Sequence, residues 1–203
     1  MQTVSVTGTP RADVGKKATK AVRKEGSIPC VMYGGDSPVH FAVKHNDVKA
    51  LIYTPEFKLA EVSVDGNANK CIIKDITFHP VTDAITHIDF LRLVEGRKMK
   101  VEVPIKFVGT SPGVKAGGTM QQSVRRVKLK TTPANLVNSV TVSIDNLELG
   151  GAVRIRDIQP MEGVEVMNPP GTPVASVEVP RALKSAASAA EKEGGDGAAA
   201  AAE

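Results

Sequence analysis

The chain has 203 residues, with 26 basic and 22 acidic side chains and a formal net charge of +4. Its apolar fraction of 41% and charged fraction of 24% are ordinary for a globular protein, and no apolar run approaches the ~18 residues that span a bilayer. Cys30 and Cys71 have neither the spacing of a zinc ribbon nor that of a disulfide framework. With an N-terminus unlike a secretory leader, these features predict a cytoplasmic protein with two reduced, buried thiols.

Residues 1–94 combine strand patterns with two helices, and we predict that they form one domain. A helical pattern over 15–24 ends at Gly26, and a second helix is predicted over Asn46–Ile52 with Asn46 as its N-cap. The segment Asp65-Gly66-Asn67 indicates a hairpin. Alternation of apolar and polar residues predicts strands at Thr3–Gly8, Ile28–Tyr33, His40–Val43, Leu59–Val64, Lys70–Phe78 and Ile85–Val94.

Residues 95–181 are rich in Val, Gly and Pro and are predicted to form a second, β-sandwich or barrel-like domain. The first strand, Lys98–Val108, is expected to be broken near Pro104, and Gly113–Gly118 to form a turn. Further strands are predicted at Met120–Lys130, Val140–Ile144, Ala152–Ile155 and Val174–Val179. The Ala-rich tail, 182–203, has one large apolar residue, Leu183, and is predicted to be disordered.

The first helix is the most informative segment. Its cations share an arc of about 120° on a helical wheel: Lys16, Lys17, Lys20, Arg23 and Lys24. Small residues occupy the opposite side, which we expect to lie against a sheet: Val14, Ala18, Ala21 and Val22. A solvated helix face is the simpler interpretation, but no acid stands at i+3 or i+4 to neutralise the stripe until Glu25. With Arg11 beside it, the stripe predicts contacts with nucleic-acid phosphates.

The second informative segment is the strand that carries His87 and Asp89. Residues two apart share a face of a strand, so these side chains are predicted to point outward together, with Ile85 and Leu91 on the same side. Three interpretations remain open from the residues alone: a metal site with His79, a catalytic pair, or an outward polar pair. The minor groove of an RNA duplex presents 2′-hydroxyls and base edges to which His and Asp can bond.

Taken in order, several short motifs resemble the bacterial large-subunit ribosomal protein twenty-five family, in its longer two-domain form, the general stress protein CTC. The resemblance covers about residues 3–180. Its motifs are Arg11 with Gly15-Lys16, Gly26-Ser-Ile-Pro-Cys-Val-Met-Tyr-Gly34, His79-Pro80, His87-Ile-Asp-Phe90, Val103-Pro104, Gly113-Val-Lys-Ala-Gly-Gly118, Asp157 and Glu162-Gly-Val164.

This resemblance implies a mainly β protein with a few helices (α+β): a six-stranded, barrel-like RNA-binding domain followed by a mainly β domain. It also implies a structural, non-enzymatic component of the large ribosomal subunit that binds the loop E region of 5S ribosomal RNA, without a cofactor, small-molecule substrate or membrane. The residues expected to contact the RNA are Arg11, Lys16, Lys20, Arg23, Lys24, Tyr33, Thr77, His87 and Asp89.

This chain departs from the family at two places in that set. The family usually has two arginines where this chain has Lys20 and Ala21, and commonly has Gln near Thr77. Lys20 keeps a charge but lacks the two-pronged geometry of arginine, and Ala21 has neither. Tyr33 also ends an apolar strand, so a partly buried tyrosine is expected there in any case.

Two alternatives remain for the rest of the chain. One strand face is predicted to carry Arg126, Lys128 and Lys130. Such a face suits either contacts with ribosomal RNA or protein, or the protection of an edge strand.

The whole chain is also compatible with a basic, β-rich adaptor that binds an acidic protein. A metal-dependent enzyme that uses His79, His87 and Asp89 is the remaining hypothesis.

Overall fold

The computed structural model describes residues 2–35, 37–158 and 162–180, and these are mostly β. The α-helices of these ranges are α1 (Lys16–Lys24), α2 (His45–Ile52) and α3 (Pro112–Lys115), and no helix there is long and apolar enough to cross a lipid bilayer. The strands are β1 (Thr3–Pro10), β2 (Ser27–Tyr33), β3 (Val39–Lys44), β4 (Leu59–Val64), β5 (Asn67–Phe78), β6 (Ile85–Arg92), β7 (Met99–Val108), β8 (Thr119–Gln122), β9 (Arg126–Thr131), β10 (Val140–Ser143), β11 (Ala152–Arg154), β12 (Val164–Val166) and β13 (Pro173–Glu178).

The first six strands close into a barrel, as predicted. Their order around it is β1-β3-β2-β6-β5-β4, and the parallel pairing of β1 with β4 closes the ring. The pairing of β2 with β6 is also parallel, and the other neighbours are antiparallel. Closure leaves the barrel without an exposed sheet edge.

Side chains from alternate positions of these strands fill the barrel. Phe41 and Phe90 lie at its centre with ring centroids 5.7 Å apart, and neither is exposed to solvent. Gly8 of β1 faces Phe41 so closely that an added Cβ would lie 2.6 Å from the ring. The rest of this core is Val, Ile, Leu, Ala, Met and the two thiols, as expected for a chain with few aromatic residues.

The connections of the barrel follow from local chemistry. The β4–β5 hairpin turns at Asp65 and Gly66, which both have positive φ (50° and 80°), as a tight hairpin turn requires. Helix α2 packs Val48 and Leu51 into the core. It begins one residue earlier than predicted, at His45, and Asn46 is not its N-cap. The cap position is Lys44, whose side chain makes no capping bond.

Strands β7–β13 form two sheets, with the orders β10-β7-β9-β12 and β11-β13-β8. The predicted break at Pro104 is wrong, since β7 runs through it. Pairing of β7 with β10 begins only at Ile105, so Pro104 needs no N–H on that side. The predicted strand Met120–Lys130 is in fact β8 and β9, because the amides of Ser123 and Val124 both turn to the carbonyl of Val174.

Two further predictions for this half need correction. Residues 113–118 are not a simple turn, because α3 begins just before them. Ser111 caps that helix by accepting a hydrogen bond from the amide of Val114, and Pro112 at the first position suits a helix start. Strand β12 was not predicted, since three residues are too few to show alternation.

The described residues form two compact units. The first contains the barrel with α1 and α2, the N-terminal part of β7, most of β9, and β12. The second contains the rest of β7 with α3, β8, β10, β11 and β13, and its core includes Ile144, Leu147 and Val177. The division at residues 94 and 95 stays a prediction, and the tail predicted to be disordered lies outside the described residues.

Candidate nucleic-acid interface

Helix α1 lies on the outside of the barrel, against β2. It starts after Gly15, whose φ of 133° suits glycine, and none of its side chains is buried. Lys16, Lys20 and Lys24 are exposed, as the helical wheel predicted. The predicted inner face is only partly right. Ala18 and Val22 are half-buried, whereas Val14 and Ala21 are exposed, because the helix contacts the barrel along a narrow strip.

Arg11 connects the end of β1 to the start of α1. Its backbone amide donates to the carbonyl of His40, and its Nη2 donates to the carbonyl of Asp13 at 3.1 Å and to Oγ1 of Thr19 at 3.5 Å. The Thr19 hydroxyl in turn donates to the carbonyl of Gly15 at 2.6 Å. Arg11 is half-buried, so its guanidinium is held against the helix rather than extended freely into solvent.

His87 and Asp89 form an outward pair on β6. Nδ1 of His87 lies 2.9 Å from Oδ1 of Asp89, and the two side chains are 31% and 35% exposed. A carboxylate at Nδ1 favours the tautomer of a neutral imidazole that carries its proton there, and Nε2 of that tautomer is a hydrogen-bond acceptor. The pair is partly exposed and can therefore offer acceptors at Nε2 and at the carboxylate.

Three more side chains lie around this pair. Thr77 stands opposite His87 in the β5–β6 ladder, and Asp75 stands opposite Asp89. Burial raises the pKa of Tyr33, and the negative charges of Asp89 and then Asp75 raise it further, so the phenol lies near both carboxylates. Asp75 was not predicted. Its alternation with Thr77 along β5 was the available signal.

The start of β6 contains a β-bulge that overturns one prediction. Thr77 pairs with His87 and Phe78 pairs with Ile85, so Thr86 is an extra residue between them. The bulge reverses the alternation before it, and Ile85 is therefore a core residue, 6% exposed, instead of lying outward beside His87. The hydroxyl of Thr86 donates to the carbonyl of Thr77 at 3.0 Å.

Arg23 reaches from α1 to that bulge. Its Nε and Nη2 donate to the carbonyl of Thr86 at 3.0 Å and 2.8 Å. Strand β2 supplies a second link, because it pairs in parallel with β6 and places Val31 opposite Asp89. Burial raises the pKa of the Cys30 thiol in β2 to about 12. Helix α1, the end of β2 and the β5–β6 face therefore form one surface.

Comparison with known proteins agrees with this layout. A family described as the ribosomal L25p family matches residues 6–90, which hold the barrel, and one described as ribosomal protein TL5, C-terminal domain, matches residues 98–181. The large ribosomal subunit protein bL25 of Porphyromonas gingivalis is 41% identical over 189 residues, which cover 92% of this chain and 98% of that protein. The chain belongs to the ribosomal L25p family.

Other L25p relatives match over a similar length. The bL25 protein of Amoebophilus asiaticus is 37% identical over 194 residues, covering 96% of this chain and 98% of its own. That of Cytophaga hutchinsonii is 36% identical over 192 residues, covering 95% and 100%. The resemblance inferred from the motifs is thus confirmed, and the family is one of ribosomal proteins and not of enzymes.

The metal-dependent alternative has no support in the geometry of this L25p chain. Nδ1 of His79 accepts hydrogen bonds from the amides of Val81 and Thr82, both at 3.3 Å, so this ring holds its own loop together. Across the residues that the structure describes, no three His, Cys, Asp or Glu side chains are grouped in a way that would hold a metal ion.

The basic strand of the second half of the L25p chain is internal. Arg126, Lys128 and Lys130 do share one face of β9, but β9 lies between β7 and β12, so the edge-strand interpretation is wrong. Two of the three cations have acidic partners on the neighbouring strands. Nζ of Lys128 lies 3.7 Å from Glu102, and Nζ of Lys130 lies 3.3 Å from Glu165.

Proposed function

We propose that this chain is a structural component of the large ribosomal subunit in the bacterial cytoplasm, and that it binds the loop E region of 5S ribosomal RNA. The proposed contact surface consists of Arg11, α1, the end of β2 and the β5–β6 face. Membership of the L25p family supports the ribosomal role. The observation that carries the RNA site is the connection of a cationic helix, through Arg23, to the strand that presents His87 and Asp89.

The charges of this surface are divided in a way that suits an RNA duplex. Lys16, Lys20 and Lys24 project from α1 and offer contacts to phosphates. Asp75 and Asp89 would repel phosphates, but their oxygens accept hydrogen bonds from hydroxyl and amino groups. The 2′-hydroxyls and base edges of the RNA minor groove supply such donors. We therefore place the sugar–phosphate backbone along α1 and the minor groove over the β5–β6 face.

Salt-dependent binding of 5S ribosomal RNA tests this arrangement. For K20A we expect weaker binding and a slope of log K against log salt that is about 0.9 less negative, because one phosphate contact is lost. For H87A we expect binding weaker by about tenfold with an unchanged slope, because a neutral hydrogen bond is lost. R125A is the matched control, since Arg125 is an exposed cation outside the proposed surface.

Nuclease footprinting then locates the site on the RNA. The wild-type protein is expected to protect loop E, and H87A is expected to lose that protection at a concentration where R125A retains it. Unchanged binding by both K20A and H87A, or protection confined to another part of the RNA, would refute the proposed site.

A further inference from the structure

Arg23 occupies an unusual position among the cations of α1. The sequence places it in the phosphate-binding stripe, yet its guanidinium makes two hydrogen bonds to one backbone carbonyl, that of Thr86, 63 residues away in the chain. Such a two-pronged bond from Arg is directional, and a lysine cannot reproduce it. For Lys16, Lys20 and Lys24 the structure shows no comparable bond to the barrel within the described residues.

The acceptor is also unusual. Thr86 is the extra residue of the β-bulge, so its carbonyl is displaced from the regular ladder, and its hydroxyl already holds the carbonyl of Thr77 on β5. The next residue along β6 is His87, whose side chain pairs with Asp89. The bulge therefore joins β5, β6 and α1 at one point, directly beside the pair proposed to read the groove.

We propose that Arg23 is a positioning residue: it fixes α1 relative to His87 and Asp89, so that the phosphate contacts and the groove contacts are made in one register. This inference rests on the proposed function and adds to it, since Arg23 then contributes through α1 and not through a phosphate of its own. The packing leaves room for such a role, because no side chain of α1 is buried and only Ala18, Thr19 and Val22 of the helix are half-buried.

The first test needs no RNA. Hydrogen–deuterium exchange of the free protein is compared for wild type, R23A and K24A, the last being a neighbouring exposed cation of the same helix. The amides of α1 are expected to exchange faster in R23A, with the barrel strands unchanged, and K24A is expected to match wild type. Equal exchange of α1 in R23A and wild type would overturn the proposal.

The second test separates positioning from a phosphate contact. We expect R23A to bind 5S ribosomal RNA about tenfold more weakly with an unchanged salt slope, and R23K to resemble R23A, because lysine keeps the charge but loses the two-pronged bond. For the double variant R23A/K20A, the fold-loss of RNA affinity is expected to be smaller than the product of the two single-variant losses, since Lys20 acts through the same helix. A salt slope about 0.9 less negative in R23A, rescue by R23K and additive effects would identify a phosphate ligand instead.

The two tests also distinguish this inference from the proposed function. If wild-type protein does not bind 5S ribosomal RNA while R23A still frees α1 in the exchange experiment, the bond to Thr86 holds the helix and the assigned RNA is wrong. If wild type binds and R23A changes neither exchange nor affinity, the RNA site stands and the positioning role is wrong.

Discussion

Asp75 lies directly opposite Asp89 in the antiparallel pairing of β5 with β6. Like charges opposite each other destabilise a sheet, and the hydrogen bond from Nδ1 of His87 to Asp89 offsets part of that repulsion. The two carboxylates also act on Tyr33, whose pKa is raised by burial first and by their charges second. The face proposed for the RNA groove is thus acidic at its centre and cationic at the adjacent helix.

The ionisation of Tyr33 measures this acidic centre directly. We expect D89N to lower the pKa of Tyr33 because one negative charge is removed, while the part due to burial remains. Absorbance titration of tyrosinate in a Y53F background isolates Tyr33, the remaining tyrosine. D65N, the same change in the β4–β5 turn, is the control. A shift of equal size in D65N would show that the effect is not specific to Asp89.

The two barrel thiols predict a loss of stability in alkali. Burial raises the pKa of both Cys30 and Cys71 from 9.0 to about 12, with Arg11 and Arg92 respectively opposing the shift. Between these values the unfolded chain releases protons that the folded chain retains, so the free energy of unfolding falls as pH rises. The expected decrease is ~1 kcal/mol per pH unit for each thiol.

Urea unfolding between pH 8 and pH 11 checks this dependence. C30A is expected to be less stable at pH 8, because a buried side chain is truncated, but its stability should decline less steeply above pH 9. A decline as steep as that of wild type would mean that Cys30 does not contribute to it.

Gly109 is predicted to be intolerant of a side chain. Its φ is +98°, and an added Cβ would overlap the carboxylate of Asp145, which accepts hydrogen bonds from the amide of Thr110 and the hydroxyl of Ser143. G109A should therefore lower the free energy of unfolding by about 1–3 kcal/mol. G171A is the matched control, because nothing lies within 4 Å of an added Cβ there. Similar melting temperatures for the two variants would contradict this explanation.

The aromatic pair at the centre of the barrel predicts a contrast between two phenylalanines. Phe90 is fully buried against Phe41, and Phe78 of β5 is 44% exposed. F90A should lower the free energy of unfolding by about 3–5 kcal/mol, because it leaves a cavity in a closed barrel. F78A should lower it much less. Urea unfolding of both variants tests this, and equal losses would show that the barrel does not depend on its filled centre.

Most strands of the barrel were predictable from the sequence, because alternation of apolar and polar residues follows directly from the geometry of a strand, whereas the barrel itself was implied by the family resemblance. The same rule placed His87 and Asp89 on one face, and the helical wheel placed the cations of α1 on the outside. These are local relationships, set by residues a few positions apart. They do not depend on which strand becomes a neighbour.

Other features depended on partners that are distant in the chain. Ile85 is buried because the β-bulge at Thr86 reverses the alternation of β6 before His87. Strand β7 continues through Pro104 because its pairing with β10 begins only at Ile105. Asp75 joins the site through its register with Asp89.

The sequence alone therefore determined most of the strands, the basic helix and the outward His87–Asp89 pair, since periodicity and charge are properties of the segment that carries them. Only the tertiary structure decided that Arg23, which is exposed like the lysines of α1, bonds to a carbonyl 63 residues away. The physical reason is that the bulge which displaces the carbonyl of Thr86 arises from the pairing of β5 with β6. The sequence of a single segment does not predict how that segment pairs with a distant one.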